Sequence, residues 1–322
     1  MNRSLAAAML AALAACSAQA QFGAPRTRTS DGNADMKLGD YKGLKNAIGC
    51  KNFTNEAGWR GNWEIGENLT IMLESALADT GRFVVVERQM LKDIIAEQDL
   101  AASGRAARAG KVAQTGMIRP ARYLATGAVT EVAESQSGGS GGIGIGGFRI
   151  GGGRSEAQIA VIVKLIDTTT GEVVAKERVV GKAGRTNLNV GIRISGVSTD
   201  LGGFTKTPLG QAAQDCINQA AAMIAKKMEE FPFDGSVVKV GEDGRIIINR
   251  GEQFGVQPGM ELVLVQPGEL LLDPDTGEVL EREAGKTLGR IKVSRVSEKV
   301  SYCDPIEGEK NPKPGTSVQA PR

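Results

Sequence analysis

The chain has no histidine in its 322 residues. That absence removes histidine-based catalytic triads, most zinc sites and the commonest general base at neutral pH. Aromatic residues make up only 4% of the chain, and no basic stripe carries aromatics, so no nucleic acid is expected as a partner. Neither sign of charge is in excess, the formal net charge being +2. Beyond the N-terminus no apolar run reaches the roughly 18 residues that a membrane helix needs. The four cysteines include no Cys-x-x-Cys pair, the usual metal and redox spacing. Neither a nucleophile–base pair nor a metal cluster is visible. No catalytic residue, metal or cofactor is expected, and the chain does not read as an enzyme.

What is there begins with an export signal. Asn2 and Arg3 precede an uncharged apolar core from Leu5 to Ala15, the form of a signal peptide over residues 1–15. Leu13-Ala14-Ala15-Cys16 has the pattern of a bacterial lipobox, which would make Cys16 a lipidated first residue. Ala18-Gln19-Ala20 fits an ordinary cleavage site instead, and the lipobox is the preferred reading. Ser17 after the cysteine is compatible with sorting to the outer membrane. Residues 16–43 then form a polar, lipid-anchored linker. The expected location is the periplasmic face of the outer membrane.

Glycine is abundant at 43 residues, and much of it falls in an arm from Gly138 to Gly153. Ala157, Ile159, Val161 and Val163 alternate with Gln158 and Ala160 in the strand that follows. Leu188, Val190, Ile192 and Ile194 alternate with Asn189, Arg193 and Ser195 further on. Period two gives each strand one apolar and one polar face. Two hairpins, at about 135–164 and 180–206, are therefore expected, with Ile159, Val161, Val163, Leu188, Val190, Ile192 and Ile194 facing lipid. A half-buried antiparallel strand of a soluble domain has the same period, and that reading stays open.

The rest divides in two, as its length suggests. Residues 44–233 read as an α+β domain into which the hairpins are inserted. Ile65, Leu69, Met72, Leu73 and Leu77 mark one helix face, and Gly81 is placed to end that helix. Phe83 to Val86 is a short strand, and Met90, Leu91, Ile94 and Ile95 open a second helix. Thr207-Pro208 caps a third, which is stopped by Phe231-Pro232. From 234 to 310, short strands separated by Gly-Asp-Pro turns suggest a small β-barrel domain. The tail 311–322 reads as disordered. Cys50 lies in an expected strand and Cys216 on an apolar helix stripe. They are either disulfide partners or two small core residues.

Phe83-Val84-Val85-Val86-Glu87-Arg88-Gln89-Met90-Leu91 resembles the strand and helix start of the curli secretion channel (CsgG-like) family. Tyr123 to Val129, Gln158 to Val161 and Thr170-Gly171-Glu172-Val173-Val174 are similar to its later strands and turn. The resemblance implies an outer-membrane lipoprotein forming an oligomeric channel that secretes unfolded, curli-like subunits, each copy lending two hairpins to one shared transmembrane barrel. Four strands cannot close alone, because the smallest membrane barrels have about eight and an open sheet edge is not tolerated in lipid. The implied partners are further copies in a homo-oligomeric ring, about nine if the count follows the family. Outer-membrane lipid and a secreted unfolded polypeptide are implied too, together with a periplasmic accessory protein or peptidoglycan. The family narrows its pore with an aromatic loop, and Trp59, Asn62 and Trp63 stand at the matching positions as the channel constriction. Packing of Trp63 against the first helix is the competing reading. Arg250-Gly251, Phe254 to Gly259 and the turn at Asp273-Pro274 resemble the C-terminal module of the flagellar assembly protein FlgT. The alternative function is a non-channel, lipidated periplasmic scaffold or activator of cell-wall or flagellar assembly.

Overall fold

The computed structural model describes residues 26–29, 38, 41, 43–106, 112–134, 157–183, 203–231, 233–275, 277, 279–283 and 285–321. Strand β1 (Arg26–Thr29) is followed by β2 (Asn46–Cys50), the two-residue β3 (Thr54–Asn55), helix α1 (Ile65–Asp79) and β4 (Phe83–Val86). Helix α2 (Leu91–Ala102) leads to three long strands, β5 (Tyr123–Glu134), β6 (Ala157–Asp167) and β7 (Val173–Ala183). Helix α3 (Pro208–Met228) closes this body. The order across the sheet is β1-β7-β6-β5-β2-β4, with β3 added to β5. β5, β6 and β7 form an antiparallel meander, while β2 runs parallel to β4 and β5.

Local chemistry explains the helix ends. Thr207 Oγ1 accepts from Gly210 N at 3.0 Å, and Pro208 takes the first helical position, where it has no N–H to leave unpaired. After α1 the chain turns at Gly81 with φ +67°, a conformation that glycine adopts without strain. α1 buries Leu69, Met72, Leu73 and Leu77 against α3 and the sheet. α3 is rich in alanine and buried nearly all round, which lets its backbone lie close on β6 and β7. α2 differs: it has no buried residue, and Met90, Ile95 and Leu100 are exposed.

A second core follows. β8 (Asp234–Val240), β9 (Ile246–Ile248), β10 (Glu261–Gln266), β13 (Lys286–Val296), β14 (Ser301–Gly308) and β15 (Ser317–Gln319) close into a six-stranded barrel. β11 (Leu270–Leu272) and β12 (Val279–Arg282) make a separate hairpin between β10 and β13. Ile246, Ile248, Leu262, Leu264, Ile291, Val293 and Val318 fill the barrel, and Leu44, Ala47 and Val84 of the body pack against it. One expectation is corrected here. Residues 311–321 are not a loose tail, because Val318 is fully buried and β15 bridges β10 and β8 to complete the closure. Without that strand the remaining five would form an open sheet with two unpaired edges.

Candidate functional site

The register of the meander places Glu134, Ala157 and Ala183 abreast at one end of the sheet. Residues 135–156 therefore leave and return at the end from which 184–202 also departs. Beneath this end, β7 is fastened to α3. A Cβ at Gly181 would lie 2.0 Å from Ala212 O, so only glycine permits the approach. Asp215, 4% exposed, accepts from Lys182 N and Gln219 Nε2, each at 3.2 Å. Gln219 also donates to Val180 O at 3.1 Å. The end of β7 is thus held on α3.

The loop from Phe53 to Glu64 lies at the same end, since β3 pairs with β5 at Ala128 and Val129. Phe53 N donates to Thr70 Oγ1 at 3.1 Å, which fixes the loop's start on α1. Asn55 clamps Trp59 from both sides of its peptide. Its Nδ2 donates to Trp59 O at 2.7 Å, and its Oδ1 accepts from Trp59 N at 3.1 Å. The Trp59 ring lies over Gly61, where a Cβ would meet it at 2.1 Å. Asn62 is exposed. Trp63 is half-buried and packs on the fully buried Phe204, with ring centroids 5.6 Å apart and planes tilted by 53°. Gly203 lies under the same ring.

Trp59, Asn62 and Trp63 are therefore together on one loop, in three different settings. Trp59 is half-buried, Asn62 is open to solvent, and Trp63 is a packing residue. Trp63 also lies against the core to which α1 contributes. It binds the loop to the chain just after 184–202. The clamp by Asn55 and the partner Phe204 were not foreseen. Asn55 stands four residues before Trp59, a spacing short enough to have suggested a side-chain-to-backbone turn.

Three of the lipid-facing assignments are overturned. Ile159, Val161 and Val163 are 0% exposed, in the core shared with α1 and α3. Alternation shows only that one face of a strand is apolar, and here two helices cover that face. Residues 157–164 and 180–183 accordingly belong to the body's sheet rather than to the hairpins. Leu188, Val190, Ile192, Ile194 and the lipidation candidate Cys16 lie outside the described residues. The disulfide reading is corrected as well: Cys50, Cys216 and Cys303 are free, buried thiols. Cys216 donates to Val179 O of β7 at 3.6 Å, whereas Cys50 ends β2, with β6 and β5 between the two strands. Three strand spacings amount to about 14 Å, beyond the roughly 7 Å that a disulfide spans between Cα atoms. Burial holds the Cys50 and Cys216 thiols well above the usual range, and Cys303 is pushed up to about 12. Among the described residues no group of acids and cysteines could hold a metal ion, and no helix is long and apolar enough to cross a membrane.

Comparison with known proteins follows the body. The family model of the curli production assembly/transport component CsgG matches residues 37–236. Among solved structures, the chain is similar to the hypothetical protein CT253 from Chlamydia trachomatis at 11% identity, over 57% of this chain and 97% of that one, with a TM-score of 0.34. It is similar to the PelC dodecamer from Paraburkholderia phytofirmans at 15% identity, over 57% of this chain and 86% of that one, with a TM-score of 0.25. Lipoprotein GNA1162 from Neisseria meningitidis is similar at 16% identity, over 45% of this chain and 88% of that one, with a TM-score of 0.25. No curated protein matches the chain.

Proposed function

The chain belongs to the family of the curli production assembly/transport component CsgG, and from that premise we propose an outer-membrane lipoprotein whose copies ring a channel for unfolded polypeptide. One observation carries the reading: 135–156 and 184–202 both spring from the same end of the antiparallel meander of β5, β6 and β7. Residues 135–156 are long enough for two strands of about ten residues, the length that crosses the apolar band when tilted, and 184–202 for two of about eight with a short turn. Two such hairpins cannot close in lipid alone, so identical copies join edge to edge and enclose water. A lipid on Cys16 adds a second attachment to the same membrane. The uncovered apolar residues of α2 also favour assembly, because a neighbouring copy would remove Ile95 and Leu100 from water.

In this reading the loop before α1 forms the constriction. Asn62 and the exposed part of Trp59 face the lumen, while Trp63 holds the loop to the root of the second hairpin through Phe204. An unfolded chain has no fixed shape to recognise, and a collar of repeated amide and indole groups suits it by being tolerant of sequence.

Planar-bilayer conductance tests the proposal. The intact, purified oligomer is expected to conduct. A variant lacking 186–202, with Phe204 kept, should stay folded and lose all conductance. An intact oligomer that never conducts, yet binds lipid through its N-terminus, would instead favour the scaffold alternative.

A further inference from the structure

At the other end of the sheet, where β2 and β5 begin and β6 turns into β7, the body meets the barrel across a cleft of about 1210 Å³. Its lining is polar and unevenly charged. Lys45, Arg119, Arg122, Arg250 and Lys299 stand against only Asp234 and Glu283. Arg122 is matched, since it lies 3.5 Å from Asp167 and 3.4 Å from Asp234. Arg119 and Arg250 are held differently. Their guanidinium carbons sit 4.9 Å and 4.7 Å from the centroid of one ring, that of Phe254. The acceptors that orient them are neutral: Gln253 Oε1 at 2.6 Å for Arg119, and Asn249 O, Asn249 Oδ1 and Asp234 O for Arg250. Burial lowers the pKa of Arg250 and the charge of Arg119 adds to the fall, while the carboxylate of Asp234 works the other way. Two like charges are therefore held around one ring in a partly dry cleft, with Asp234, which Arg122 shares, offsetting them only in part.

Such an arrangement concentrates positive potential and presents planar forks suited to carboxylates. The volume exceeds the few hundred cubic ångströms that a single small anion would need. Asn46, Ser236, Asn249, Thr287, Ser317 and Gln319 add amide and hydroxyl groups along the walls, able to meet a peptide backbone. Among the described residues a sugar ring has no platform here, because Phe254 is the sole aromatic lining the cleft, is 5% exposed, and is already covered by guanidinium groups.

We propose that this cleft between body and barrel binds an extended acidic peptide segment of a partner protein, with Arg119 and Arg250 receiving its carboxylates. The proposal does not depend on channel formation. Its test uses the full chain in detergent and a fluorescent peptide alternating Glu and Ser, compared with one alternating Gln and Ser, read by anisotropy. The acidic peptide should bind, more weakly as salt rises, and the Gln peptide should not. Arg250→Gln should weaken binding at least about tenfold, the cost of losing a desolvated charge pair. Arg250 also braces the barrel through Asn249 and Asp234 O, so Lys299→Glu at the exposed rim provides a variant that leaves the fold intact. It should weaken binding about threefold with an unchanged Tm, as rim charges do. Equal binding of the two peptides, or indifference to both variants, would overturn the proposal. So would displacement of the acidic peptide by an uncharged N-acetylglucosamine oligosaccharide, which would assign the cleft to a glycan.

Discussion

The body and the barrel handle the edges of their sheets in opposite ways. The barrel closes on itself through β15, so every strand has two neighbours and its core is complete within one chain. Among the described residues the body's sheet is open, ending at β1 on one side and the short β4 on the other, and it carries a helix, α2, none of whose residues is buried. Unpaired edges and an uncovered apolar face are liabilities for a lone molecule and sites of attachment for an assembling one. The difference teaches where each region's stability is finished: inside the chain for the barrel and, in the proposed ring, between copies for the body.

The comparison breaks most sharply if the barrel is reopened. Ending the chain before Ser317 removes β15 from between β10 and β8. Calorimetry should then show the barrel's transition lost and the body's transition retained. Simultaneous loss of both would mean that the two cores fold as one unit. A smaller effect is expected from Phe204→Ala. Removing a fully buried phenylalanine costs about 3–5 kcal/mol, here confined to the body. Trp63 would lose its partner, so tryptophan emission should shift to the red while the barrel melts as before.

The smallest effect concerns Glu74, half-buried on α1 with one carboxylate oxygen unpartnered. Burial raises its pKa, and Glu87 nearby adds to the rise, against a hydrogen bond from Gln89 that lowers it. The sign follows from linkage. A carboxyl whose folded pKa lies above its unfolded value opposes folding once pH exceeds the unfolded value, and this penalty disappears as pH falls below it. Glu74→Gln should therefore stabilise the body at neutral pH by less than about 1 kcal/mol, because solvent screens a half-exposed group. The gain should fade below the usual carboxylate range. A gain that persisted there would assign it to packing instead of charge.

Much of the body was legible because its signals are local. Thr207-Pro208 announces α3, Gly81 ends the turn after α1, and Gly171 at φ +78° closes the turn between β6 and β7. Each acts within a few residues. What was not legible depended on distant groups. Ile159, Val161 and Val163 have the same alternation whether lipid or α3 covers them. Trp63 meets Phe204 only because the chain returns to the same end of the sheet after β7. Cys50 and Cys216 both read as buried, yet strand order rather than burial decides whether two thiols can meet.

Within this chain, then, sequence alone determined the kinds of element, the family and the lack of histidine chemistry, since period, caps and composition are properties of neighbours along the backbone. Tertiary structure decided which apolar faces are covered, that residues 317–319 close the barrel, and that two arginines share one phenylalanine across a cleft. Those outcomes depend on which surfaces come to lie against each other. That is settled by burying area and pairing backbone groups over the whole molecule at once.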